Sequence, residues 1–156
     1  MKLLIDGDGC PRQQRRIVER AALRTGATMV IAADRSIPMT EGLDAVQLTA
    51  STGSGGADEL LVERAEEGDI AITRDFPLAE RLVERGAVVI DDRGGVYDEE
   101  NIAARRSERD RMMELRQLGV LPEEEKRGGG SGQREVKAFA DALDRLIAAR
   151  QRRSRD

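Results

Sequence analysis

Apolar residues in this chain fall into short unbroken runs separated by longer stretches of helical period. Leu3-Leu4-Ile5 closes a first strand over Lys2 to Asp6. Thr28 to Ala33, Ala45 to Thr49, Asp69 to Thr73 and Ala87 to Ile90 are further runs of strand length. A strand with one wet face alternates polar and apolar residues. These runs do not, so both faces are expected under helices, as in a parallel sheet. Between them, Ile17, Val18, Ala21 and Ala22 recur at helical spacing and stop at Gly26. Leu60, Leu61, Val62 and Ala65 do so before Gly68, and Leu78, Leu82 and Val83 before Gly86. A glycine just past the last periodic residue is a helix stop signal. Pro11 is expected at the first position of the first helix, with Cys10 as its N-cap. Two later helices are predicted. One spans about 99–118 and carries Ile102, Met112, Met113, Leu115 and Leu118. The other spans about 134–149 and buries Val136, Phe139, Ala140, Leu143 and Ile147. The alternation of strand and helix predicts an α/β fold, a three-layer sandwich around a central, mainly parallel sheet.

Residues 1–149 read as a single domain. Within it, 122–133 holds Glu123-Glu124-Glu125 and Gly128-Gly129-Gly130-Ser131-Gly132 and is expected to be a flexible linker. Residues 150–156 are expected to form a disordered basic tail. Ser36 to Gly42 is a loop or a short helical turn. Ser51 to Gly56 is a Gly/Ser segment opening onto a helix, either a mobile active-site loop or an ordinary connection. It lacks the Gly-Lys-Ser/Thr ending of a P-loop, so ATP binding is not expected.

Composition narrows the chemistry. Hydrophobic residues make up 39% but aromatics only 2%, so the core must be aliphatic. No apolar run has the length of a signal or membrane segment, which predicts a soluble cytoplasmic protein with no membrane partner. One cysteine excludes a disulfide framework and a Cys-rich zinc site. The absence of histidine removes Ser-His-Asp and Cys-His catalysis and every His-ligated metal. Charge is uneven: residues 1–102 carry 12 basic and 20 acidic side chains, residues 103–156 carry 14 and 10. That distribution suits a metal site beside a polyanion path, and equally a charged surface that keeps the chain in solution.

Carboxylates stand at strand ends. Asp6 and Asp8 follow the first strand, Asp75 the fourth, and Asp91 and Asp92 the fifth. In a parallel sheet these ends lie along one edge, so residues distant in sequence converge. Asp58 and Glu59, in the first turn of a helix, can face the same cleft. Such a set suits Mg²⁺ or Mn²⁺, which prefer oxygen ligands. Each member also has an ordinary explanation. Asp75 can cap a helix, Asp58 and Glu59 can oppose a helix dipole, and Asp91 and Asp92 can shape a turn. Cys10 is a nucleophile or, with no histidine to activate it, a packed or capping thiol. Arg105, Arg106, Arg109, Arg111 and Arg116 can meet phosphates. Glu108, Asp110 and Glu114 among them equally suit a solvated helix face.

Several motifs together carry a resemblance. They are Ile5-Asp6-Gly7-Asp8-Gly9-Cys10-Pro11, Ala57-Asp58-Glu59, Gly68 to Ala79 with Thr73-Arg74-Asp75-Phe76-Pro77, and Asp92-Arg93-Gly94-Gly95-Val96-Tyr97. They resemble the bacterial YaiI/YqxD family, as does the closing segment Arg134 to Leu146. Gly7 and Gly9 stand where that family more often has alanine, and Phe76 where isoleucine is usual. The family is similar to PIN-like domains, metal-dependent ribonucleases with a parallel sheet and an acidic cluster.

The resemblance implies a PIN-like fold and a Mg²⁺- or Mn²⁺-dependent nuclease acting on RNA, with metal-activated water attacking the phosphodiester. Asp6, Asp58 (or Glu59) and Asp75 would be metal ligands, and Asp8 would join them in catalysis. Glu59, Thr73 and Asp92 would support them, and Arg105 and Arg109 would meet nucleic acid. Two alternatives stay open. Asp6-Gly-Asp8-Gly-Cys10 also resembles the Asp-x-Asp-x-Thr start of haloacid-dehalogenase-type phosphatases, with Asp6 as nucleophile. A non-catalytic RNA- or protein-binding module is the other.

Overall fold

The computed structural model describes residues 1–50, 56–123 and 132–156. Its elements are β1 (Lys2–Asp6), α1 (Arg12–Thr25), β2 (Thr28–Ala33), β3 (Ala45–Thr49), α2 (Gly56–Arg64), β4 (Ile70–Ile72) and α3 (Phe76–Glu84). Then follow β5 (Val88–Ile90), β6 (Val96–Tyr97), α4 (Ile102–Gln117) and α5 (Gln133–Arg155). The strands form one sheet in the order β3-β2-β1-β4-β5-β6. The first five are parallel, and β6 returns antiparallel to β5. This is the α/β sandwich with a mainly parallel sheet that the alternation predicts.

Alternation along the strands assigns the two faces. Leu3, Ile5, Met29, Ile31, Ile70 and Ile72 pack with Val18, Ala21 and Ala22 of α1 and with Phe139, Leu143 and Ile147 of α5. Leu4, Val30, Ala71 and Val89 pack against Leu61 of α2 and against Leu78, Ala79, Leu82 and Val83 of α3. Leu3, Leu4 and Ile5 are fully buried, which is why β1 carries no polar alternation. At about 25 cal/mol per Å² of apolar area removed from water, this double burial is the main drive for the sheet.

Chain direction reverses about β1. From it the chain moves outward through β2 and β3, then returns to lay β4 on the other side of β1 and moves outward again through β5. The point between the carboxyl ends of β1 and β4 is therefore the topological switch point, where open α/β sheets bind ligands. Asp6 ends β1, and Thr73, Arg74 and Asp75 follow β4.

Several local expectations are corrected. The N-cap of α1 is Pro11, one residue later than Cys10. The strand β6 was not legible as an element; its two residues gain definition only by pairing with β5. No residue of α4 is fully buried, and Met113 and Leu118 are exposed, so that helix lends the core only the partly buried Ile102 at its start. Val136 and Ala140 are only half-buried, whereas Phe139, Leu143 and Ile147 are buried as expected. The helix α5 runs on to Arg155, through most of the segment expected to be a disordered tail. Most of the 122–133 linker (124–131) and residues 51–55 of the Gly/Ser segment lie outside the described residues. Among the described residues, no helix is long and apolar enough to cross a membrane.

Candidate active site

Asp6 is the last residue of β1 and is 6% exposed. Buried carboxylates need donors, and Asp6 has them in Thr73 and in the backbone of Gly9 and Asp8. The Thr73 hydroxyl donates to Oδ2 at 2.8 Å, and the Gly9 backbone N–H to Oδ1 at 3.3 Å. The turn after β1 folds directly over this carboxylate. A Cβ on Gly9 would come within 2.5 Å of Asp6 Oδ2, and one on Gly7 within 2.8 Å of Ile37 Cδ1. With Asp6 held as it is, position 9 has no room for a side chain. Burial, more than any other influence, raises the pKa of Asp6 above the usual carboxylate value; the nearby charge of Asp75 adds to this and these donors oppose it.

Thr73 links the two strand ends. While its hydroxyl donates to Asp6, its oxygen accepts the backbone N–H of Asp75 at 3.0 Å. Asp75 then caps α3, its Oδ1 accepting from Leu78 N–H at 3.2 Å, with Pro77 in the first turn. The capping role expected of Asp75 is therefore present. It uses one oxygen, and among the described residues Oδ2 accepts no hydrogen bond. The Thr73 side chain itself is buried. Replacing it with the near-isosteric valine should cost about 1–3 kcal/mol, because a buried acceptor loses its donor. Urea unfolding of Thr73→Val measures this; an unchanged midpoint would remove Thr73 from its linking role.

Asp58 lies in the first turn of α2 and is half-buried. Its pKa is raised, first by burial and then by the charges of Asp6 and Asp75, with Arg81 only partly compensating. The structure therefore brings Asp6, Asp58 and Asp75 close enough to repel one another. Glu59 is turned elsewhere: Arg81 of α3 grips both its oxygens at 2.7 and 2.8 Å. Asp8 is exposed and leans toward the end of β2, accepting from Asp34 N–H at 3.1 Å. Modest burial and the Asp34 carboxylate raise its pKa.

Asp92 is buried, bonded to Arg74 at 3.0 Å, while its backbone carbonyl accepts from buried Gln14 at 2.9 Å. Asp91 shapes the β5–β6 turn, accepting from Arg93 N–H, Gly95 N–H and the Tyr97 hydroxyl. Cys10 is buried, which pushes its thiol up to about 12. It is a packed thiol, not a nucleophile at neutral pH.

Among the described residues, no three Asp, Glu or Cys side chains are gathered tightly enough to enclose an ion on their own. Mg²⁺ does not require that. It keeps several waters and binds through one or two carboxylates. Asp6, Asp58 and Asp75 supply hard oxygen donors whose mutual repulsion is only partly relieved by Arg81, so their chemistry fits a partly hydrated divalent cation.

Two arrangements of arginine could not be read from the sequence. Arg105 and Arg109 of α4, expected to meet phosphates, lie over the rings of Tyr97 and Phe76. On the α1 side, Arg12, Arg15, Arg16 and Arg35 line a groove of about 500 Å³ whose only carboxylate is Glu19. The spacing Arg12-x-x-Arg15-Arg16 on one helix face is the signal that could have marked the second groove.

Comparison with known proteins agrees with the resemblance. Residues 4–149 match the family model described as "Uncharacterized BCR, YaiI/YqxD family". A UPF0178 protein of Treponema denticola is 39% identical over 148 residues, covering 95% of this chain and 92% of that protein. A UPF0178 protein of Pseudomonas putida is 36% identical over 151 residues, covering 95% and 97%. One from Vibrio cholerae is 37% identical over 152 residues, covering 96% and 99%. No solved structure matches the chain.

Proposed function

The chain belongs to the YaiI/YqxD family, and for this member we propose a Mg²⁺- or Mn²⁺-dependent nuclease acting on RNA. The observation that carries the reading is the mutual repulsion of Asp6, Asp58 and Asp75 at the switch point of the sheet. Evolution rarely keeps partly buried like charges together at a cost in stability unless a bound cation uses them.

Asp6, Asp58 and Asp75 would hold the ion. A divalent cation bound there would stabilise the charge developing on a transferring phosphoryl group and lower the pKa of a bound water. The chain's own contributions follow from the geometry. Thr73 fixes the orientation of Asp6 and, through the Asp75 N–H, the start of α3. Asp8 sits exposed at the rim on the β2 side, held by the Asp34 N–H, where its carboxylate would accept a proton from an attacking water. The arginine groove beside α1 offers countercharge to a polyanion.

One observation weighs against Asp6 as a phosphorylated nucleophile. Lys2 lies at the opposite end of β1, bound to Glu66 and Asp69, so it cannot serve as the phosphatase lysine. The test offers the purified protein with Mn²⁺ a single-stranded RNA and a phosphate monoester. Cleavage of RNA that stops with EDTA supports the nuclease. Monoester turnover with a trapped phospho-Asp6 sinks it, and no reaction with no metal binding leaves a binding module.

A further inference from the structure

The chain contains only three aromatic residues. Phe139 fills the core, but Phe76 and Tyr97 meet outside it, edge to face, with ring centroids 5.9 Å apart at 77°. An aromatic-poor core would gain from both rings, so their half-exposed position is unusual. Phe76 directly follows Asp75, and Tyr97 ends β6.

Two exposed guanidiniums are laid over these rings. Arg105 lies 5.5 Å from the Tyr97 centroid and Arg109 lies 5.2 Å from that of Phe76. Together with Arg74 and Arg116 they line a groove of about 350 Å³, in which Glu108 is the one carboxylate. Arg74 continues the groove to Asp92 at the rim of the acidic site. Flat π surfaces interleaved with cations recognise one chemistry above others: unpaired bases on a phosphate backbone. Bases stack on aromatic rings and on guanidinium planes, and phosphates meet the arginine charge. A duplex keeps its bases stacked on each other and cannot offer them to a ring. The excess of arginine over carboxylate equally disfavours an acid-poor protein partner.

We infer that this groove seats one unpaired nucleotide of a single-stranded nucleic acid, its base stacked on the Phe76–Arg109 pair, with Tyr97, set at 77° to Phe76, bracing its edge, and its flanking phosphates against Arg74 and Arg105. The inference deepens the nuclease reading and rests on it for the strand's onward path to Asp75. The stacking itself needs no cleavage. The same contacts also dock α4, a helix that buries no residue of its own. The test must therefore read the base, not only the charge.

The full chain is titrated in EDTA against a labelled single-stranded RNA of about ten nucleotides and against an abasic strand of equal length and charge. Wild type should bind the RNA about ten-fold tighter than the abasic strand. Phe76→Leu should lose that ratio while holding the abasic strand unchanged. Arg105→Gln, on an exposed helix face, should weaken both and lower the salt slope by about one ion. Equal binding of the two strands by wild type overturns the inference, as does a ratio that survives in Phe76→Leu. Should Phe76→Leu fail to melt cooperatively, the wild-type ratio and the Arg105→Gln loss decide. The two readings separate cleanly. Base-dependent binding without Mn²⁺-dependent cleavage keeps the groove and removes the nuclease, and cleavage without base dependence does the reverse.

Discussion

Asp75→Asn is expected to lose Mn²⁺-dependent RNA cleavage by about 100-fold or more while melting, free of metal, at or slightly above the wild-type temperature. Residues that merely support a metal ligand cost 10–100-fold when removed, so a ligand should cost at least the upper end. That no stability is lost follows from the cap, and relief of the repulsion on Asp6 and Asp58 can only add to it. Asparagine is as good an N-cap as aspartate, so its side-chain oxygen can still accept from Leu78 N–H, as Oδ1 does now. The bond from the Asp75 backbone N–H to Thr73 does not involve the side chain at all. What changes is one negative charge facing Asp6 and Asp58. Initial rates on single-stranded RNA, with calorimetric melting alongside, measure both halves. Cleavage within a few-fold of wild type would take Asp75 out of the site.

Mn²⁺ should raise the melting temperature, and the gain should shrink in acid. Asp6 and Asp58 have folded-state pKa values above their ordinary 3.8. For a carboxylate with a raised folded pKa, the folded state binds its proton more tightly than the unfolded chain does. Its stabilising contribution is then full below pH 3.8 and lost as pH rises through the folded value. At neutral pH the ionised pair therefore costs stability in the metal-free protein. A cation that binds the folded state alone restores it by RT ln(1 + [L]/Kd), about 2.7 kcal/mol at a hundred times Kd. For a domain of this size that is a rise of about 5–10 °C.

Asp6→Asn supplies the matching control. Its amide oxygen keeps the Thr73 hydroxyl as donor, its NH2 gives up only the long 3.3 Å bond from Gly9 N–H, and its neutral side chain no longer repels Asp58 and Asp75. The metal-free variant should melt above wild type at pH 7, lose that advantage as pH falls through the raised pKa of Asp6, and show no Mn²⁺ response. Removing a functional charge at the expense of activity is a common route to added stability. Equal melting of both proteins at pH 7, with the same Mn²⁺ shift, would mean that Asp6 carries no uncompensated charge.

Most of the scaffold could be read from the order of residues. Leu3-Leu4-Ile5, Thr28 to Ala33 and Ile70-Ala71-Ile72 lack polar alternation because each strand is covered on both faces, and that local pattern suffices to predict a parallel sheet. The stop glycines act locally too: Gly26 adopts φ +70° and donates its N–H to the Ala22 carbonyl to end α1. Elements defined by a neighbour were less legible. The two residues of β6 are a strand only through β5. For α4, amphipathic spacing suggested a buried stripe, whereas the helix is held by ring contacts and the Arg106–Glu80 pair.

For the candidate site, sequence alone determined which carboxylates end strands and that no histidine competes with them for the chemistry. It could not rank them, because a strand-end aspartate, a helix cap and a turn residue look alike before folding. Tertiary structure decided that. It gave Asp91 to a turn, Asp92 to Arg74 and Glu59 to Arg81, and it left Asp6, Asp58 and Asp75 repelling one another across the switch point. It also set Phe76 and Tyr97, 21 residues apart in the chain, against each other beside that point. The physical reason is common to both cases. Propensity and periodicity act over a few residues, but the partner that neutralises a charge or covers a ring is chosen by strand order, which no local pattern encodes.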